Sequence, residues 1–138
     1  MKKFIYTILL VIAFTGSVLA GEFKKVPIKE LDALTLQAEG LLVNNINFVI
    51  EGALFGGVKA TVQCTVKNKT EFDLNYTVYL AAFDKGGTLL ACFSLEPTLN
   101  THEAGKVETL TVSGMVDSAS KGKADYVLVK VVAQKAGD

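Results

Sequence analysis

Few residues of this 138-residue chain could do chemistry: two cysteines, Cys64 and Cys92, one histidine, His102, and a serine and lysine in Ser118-Ala119-Ser120-Lys121. A thiolate, an imidazole or an activated serine drives catalysis only with a partner within hydrogen-bond reach. The cysteines are too far apart for a Cys-x-x-Cys redox pair and have too few companions for structural zinc. They pair in number, which makes them a disulfide candidate in an oxidising compartment, or else two small apolar core residues. His102 stands beside Glu103 in a polar stretch and reads as a solvated loop histidine, with no converging ligands for a metal. Met115 is the one methionine left for thioether chemistry once the first residues are set aside.

The Ser-x-x-Lys spacing works in penicillin-binding enzymes together with Ser-Asp-Asn and Lys-Thr-Gly elements. Neither occurs here, so residues 118–121 read as a turn. The glycines of the 52–61 stretch precede Lys59, but Ala60 follows it where a phosphate loop has Ser or Thr. They serve a bend between strands. Asn68-Lys69-Thr70 and Asn75-Tyr76-Thr77 are glycosylation sequons that matter only in a eukaryotic secretory route. No cofactor and no metal is expected from these residues.

The chain opens with Lys2 and Lys3, continues through an apolar run from Phe4 to Phe14, and reaches Val18-Leu19-Ala20. That is the layout of a secretory signal peptide, cut after Ala20 to leave Gly21 first. The run is shorter than the roughly 20 residues of a membrane span, so no span is expected after cleavage. Gly21 also stands where a lipoprotein would carry its acylated cysteine. The Met-Lys-Lys opening has a bacterial look, and the protein is expected in the periplasm or secreted. Removing Lys2 and Lys3 from 14 cations against 14 anions leaves a net charge of −2. Every cation is lysine, so the forked guanidinium that reads guanine or grips phosphate is missing, and nucleic acid is an unsuitable partner.

One domain is expected over residues 21–138. Val58, Ala60, Val62, Cys64 and Val66 alternate with polar residues, the period of a strand with one face on a core. Leu74 to Phe83 is β-branched and aromatic, and Asp84-Lys85-Gly86-Gly87 allows a tight reversal into Thr88 to Leu95. Ile46 to Glu51, Lys106 to Ser113 (Leu110 and Val112 on one face) and Tyr126 to Ala133 read as further strands, with Met115 to Asp125 as a loop. Pro27 to Gly40 is ambiguous between helix and strand: a helical turn followed by an extended or irregular Leu34 to Glu39 fits best. Six or seven short strands without a long helix predict an all-β, antiparallel immunoglobulin-like sandwich, with a small closed barrel as the alternative.

Val62-Gln63-Cys64-Thr65-Val66-Lys67-Asn68-Lys69-Thr70, then Val78 through Gly87, then a polar loop to Gly105 resemble the FxLyD-type domains of bacterial envelope proteins. The resemblance covers Val58 to Ser113. The family's Phe-x-Leu-Tyr-Asp falls on Leu80-Ala81-Ala82-Phe83-Asp84, so only its aromatic-Asp end is kept, and Ala104 stands where a proline is common. The resemblance implies an immunoglobulin-like fold in an exported binding or accessory module, with no catalytic residues to transfer.

Two functions are consistent with these features. The first is a non-enzymatic envelope module that binds a protein or peptide, with Thr88, Leu90, Cys92 and Ser94 of the hairpin strand as the edge that receives it. The second is a small hydrolase or ligand carrier whose site gathers Asp84, His102, Glu103 and Ser118. It requires those residues to meet in space.

Overall fold

The computed structural model describes residues 22–99 and 101–137, so the expected signal peptide, Met1 to Ala20, lies outside the described residues. Within them the strands are β1 (Lys24–Pro27), β2 (Leu36–Ala38), β3 (Leu41–Gly52), β4 (Val58–Asn68), β5 (Leu74–Phe83), β6 (Leu89–Leu95), β7 (Val107–Val116) and β8 (Tyr126–Lys135). They form two four-stranded sheets, ordered β1-β8-β5-β6 and β2-β3-β4-β7, and every pairing is antiparallel. Both sheets keep free edges, so the fold is an open sandwich, not a barrel.

The core lies between the sheets. Val58, Ala60, Val62, Cys64 and Val66 of β4 are all buried, as their alternation predicts. All but Val58 meet Leu74, Tyr76, Val78, Leu80 and Ala82 of β5 and Val127, Val129 and Val131 of β8 in one apolar cluster. Leu110 of β7 is buried with them, whereas Val112 is only partly buried, because β7 has a neighbour on one side alone.

Two segments depart from the simple pattern. β3 begins at Leu41, well before Ile46, because its alternation changes phase: Leu41 and Val43 are buried, then Ile46 and Phe48. A register break between Asn44 and Asn47, with Asn45 at φ 51°, inserts the extra residue that returns apolar side chains to the core. The ambiguous stretch resolves into a 3-10 turn, Ile28–Ala33, followed by the three residues of β2. Ala38 pairs with Leu41 across Glu39 and Gly40, both at positive φ, the geometry of a two-residue hairpin turn. Gly40 is required there twice over, since a Cβ would run into the Thr70 methyl group.

Candidate functional site

Asp84, His102, Glu103 and Ser118 do not meet. Asp84 ends β5 at its Phe83 end: its Oδ1 accepts from the Thr88 N–H at 2.9 Å and its C=O from the Gly87 N–H at 3.1 Å. The aspartate is thus employed in closing the β5–β6 turn. Residues 84–86 and 122–125 border a cleft of about 340 Å³ at this end. Ser118 is exposed and opens the short 3-10 turn Ser118–Ser120, and Lys121 donates its backbone N–H to the Ser118 C=O, so the Ser-x-x-Lys spacing closes a turn. His102 and Glu103 lie at the other end of β5, where His102 exchanges both backbone bonds with Leu74 at 2.8 and 3.0 Å. Ten strand residues separate the ends, roughly 30 Å of extended chain.

His102 departs from its expected solvated place. Its side chain is 4% exposed, drawn inward by the bridge to Leu74 and set edge-on to the Tyr76 ring at 5.6 Å. Neither ring nitrogen has a hydrogen-bond partner among the described residues. Nε2 is 3.9 Å from Oε2 of Glu108, beyond hydrogen-bond reach. Glu108 projects from β7 into the sandwich. Its Oε1 accepts from the Thr98 N–H at 2.8 Å and from the Thr98 hydroxyl, and its Oε2 lies 3.5 Å from the Tyr76 hydroxyl. Burial, then the Glu108 charge, raises the Tyr76 pKa above the ordinary tyrosine value. The same two causes, in the same order, push the Cys64 thiol up to about 12. His102 and Glu108 also line a cleft of about 350 Å³ with Thr98, Leu99, Lys106 and Val107. No group of three or more His, Cys, Asp or Glu side chains suited to a metal occurs among the described residues.

Asn68 fixes this end of the sandwich. Fully buried, it donates through Nδ2 to the carbonyls of Phe72 (2.6 Å) and His102 (3.1 Å), and its Oδ1 accepts from the Thr70 N–H (2.9 Å) and hydroxyl (2.6 Å). Its backbone bonds the Lys106 C=O and the Gly105 N–H. The Asn68 sequon is therefore a structural hub with its amide already in use.

The disulfide between Cys64 and Cys92 is not formed: both thiols are free. Strand phase explains it. Cys64 faces the core from β4, whereas on β6 it is Ala91 and Leu95 that are buried, and Cys92 points to solvent from the other sheet.

β6 does lie at a sheet edge, as expected, with Leu90, Cys92 and Ser94 on its outer face and Thr88 in the preceding turn. β7 is the edge of the facing sheet, and the two strands come together where Phe93 lies against Gly114. Among the described residues this side of the sandwich is open. Sequence reasoning placed β6 here but missed Glu108, Tyr76 and Asn68. The parity that puts Leu110 and Val112 on one face also puts Glu108 there.

No family model matches the chain, and no curated protein matches it. Among solved structures it is similar to the Salmonella enterica trimeric lipoprotein SadB, with a TM-score of 0.51 and 11% sequence identity over 97% of this chain and 75% of that one. At that identity the likeness is one of fold.

Proposed function

We propose that this protein is an exported, non-enzymatic accessory module of the bacterial envelope that binds a protein or peptide along the β6 edge. The carrying observation is the open side of the sandwich, where, among the described residues, β6 offers an outer edge with no further strand or helix on it. The resemblance to FxLyD-type domains and the fold shared with a trimeric lipoprotein support this reading. So does the separation of Asp84 and Ser118 from His102 and Glu103, which deprives a hydrolase of a base beside its nucleophile. Cys92 is exposed at this edge and offers a direct test. Chain capped at Cys92 with a bulky maleimide should lose an envelope protein that unmodified chain retains in a pull-down, with folding unchanged by circular dichroism. Equal capture by both forms would overturn the β6 assignment.

One observation favours a ligand carrier instead: the unpartnered ring of His102 beside its cleft. A small molecule that co-purifies with the wild-type chain and is lost in His102→Gln would establish that reading.

A further inference from the structure

A sheet edge invites another strand unless something blunts it: shortness, lysine, proline or a bulge. Three of the four edges among the described residues carry such a device. β1 has four residues, including Lys24, Lys25 and Pro27; β2 has three; β6 has a register shift opposite Ala82 and Phe83, at its Leu89 end, which leaves a regular edge only from Ala91 to Leu95. β7 carries none. It runs for ten residues, pairs with β4 from Val116 to Val107 without a shift, and contains neither lysine nor proline. Its one charged side chain, Glu108, turns inward.

The free backbone groups can be identified. Asn68 donates its N–H to the Lys106 C=O, which sets the phase of the β4–β7 ladder. Alternation then directs the N–H and C=O groups of Glu108, Leu110, Val112, Gly114 and Val116 at β4. Those of Val107, Thr109, Thr111, Ser113 and Met115 point at the open edge. The side chains of these five residues also lie on the outer face, where Ser113 meets Thr61 at 3.1 Å.

We infer that β7 joins two copies of this chain, antiparallel, about a two-fold axis through Thr111. Opposed residues in such a pair must share a face, and this axis opposes Thr109 to Ser113, Leu110 to Val112 and Glu108 to Gly114. It also opposes Val107 to Met115. These are 58% and 65% exposed, and each covers the other at both ends of the pairing. No like charges stand opposite. An axis through Val112 would leave Val107 unmatched and set Met115 against Thr109. The strand is therefore complementary to itself, as a symmetric contact requires. A foreign segment would find no outward charge on β7 to fix its register. The same pairing brings the Met115 end of one copy to the Val107 end of the other. The exposed hairpin tip, Leu54 and Phe55, lies near the first, and the cleft walled by Leu99 and Val107 lies at the second.

The inference is independent of partner capture at β6. Light scattering and sedimentation of the purified chain, from low micromolar to near-millimolar concentration, should give the mass of two protomers. Thr111→Pro removes an N–H directed at the open edge and should raise the dimer Kd about tenfold or more. Val107→Lys with Met115→Lys opposes like charges and should give monomer, whereas Val107→Lys with Met115→Glu should restore the dimer. If Thr111→Pro fails to fold by circular dichroism, the paired charge variants carry the test. A wild-type monomer throughout, a three-protomer assembly, or a dimer unmoved by these variants would overturn the inference. Loss of capture on Cys92 capping with the dimer intact concerns β6 alone, and an intact capture with a monomeric chain concerns β7 alone.

Discussion

The two sides of this sandwich close the gap between its sheets by opposite means. Beside β1 and β2, the 3-10 turn Ile28–Ala33 packs against β1 and β3 and puts Leu31, 2% exposed, into the core, with Leu34 buried just after it. Beside β6 and β7 the described residues supply no such plug. There Phe93 lies against Gly114, and the connection from β6 to β7 is held by polar contacts to Asn68 and Glu108. An apolar plug closes an edge at the expense of its availability, since both strands beside it are short and β1 carries lysine and proline. A polar clasp holds the loop and leaves two longer strand edges able to pair.

If that contrast is right, the largest single loss should come from the plugged side. Leu31→Ala should destabilise the fold by about 2 to 5 kcal/mol, the cost of lost transfer energy plus a cavity that the turn only partly fills. Urea unfolding gives the number. A loss below about 1 kcal/mol would mean that the turn lies over the core without sealing it.

The clasp should come next. Asn68→Ala removes one donor from each of the Phe72 and His102 carbonyls, which keep the Thr70 hydroxyl and the Leu74 N–H, and it removes the acceptor of the Thr70 N–H and hydroxyl. A cost of about 2 to 3 kcal/mol is expected, more than one ordinary hydrogen bond because the four bonds of the Asn68 side chain are lost together. Hydrogen exchange should then rise around residues 101–106 while β1 and the 3-10 turn keep their protection.

Alkaline pH separates the two sides by another route. The folded Cys64 thiol keeps its proton to about pH 12, whereas the unfolded thiol releases it near 9.0. Between these values the unfolded state binds fewer protons, so stability is complete below the lower one and falls as pH rises toward the upper one. The slope approaches about 1.4 kcal/mol per unit. Tyr76 shifts in the same direction from a higher starting value, so it adds to the loss only further up the scale. Cys64→Val should flatten the first part of the decline, and Leu31→Ala should leave its shape unchanged. A parallel profile in Cys64→Val would remove the thiol as its source.

The features of this architecture that the sequence revealed are those with one uninterrupted period. Val58 to Val66 alternates without fault and lies as expected, and the Asp84 to Gly87 turn announced its hairpin. The Leu41 half of β3 was hidden because Asn44 and Asn45 switch its phase, so that only Ile46 to Glu51 read as a strand. The candidate site was harder, since a polar residue on a strand reads as solvent-facing. Glu108 and Asn68 belong to buried faces by parity, and their partners come from residues distant in sequence. His102 is buried by a backbone bridge to Leu74, which no local pattern records. The cysteines show the same limit: even number and export suggested a bond, while strand phase set the two thiols apart.

The smallest effect is expected at Cys92, and it bears on the open side directly. The side chain points outward from an edge strand and contributes nothing to the core cluster. Cys92→Ser should therefore change stability by no more than about 0.5 kcal/mol. Reactivity should differ sharply all the same. Native protein should take up one equivalent of a thiol reagent quickly, at Cys92. Cys64, 1% exposed and with its thiolate disfavoured by burial, should react only when the sandwich opens. Its labelling rate then reports the opening free energy, so it should accelerate in Leu31→Ala in proportion to the stability lost, and Cys92 should label at an unchanged rate. Equal rates for both thiols in the wild-type chain would mean that β4 is no better shielded than the edge, and the contrast between the two sides would fail.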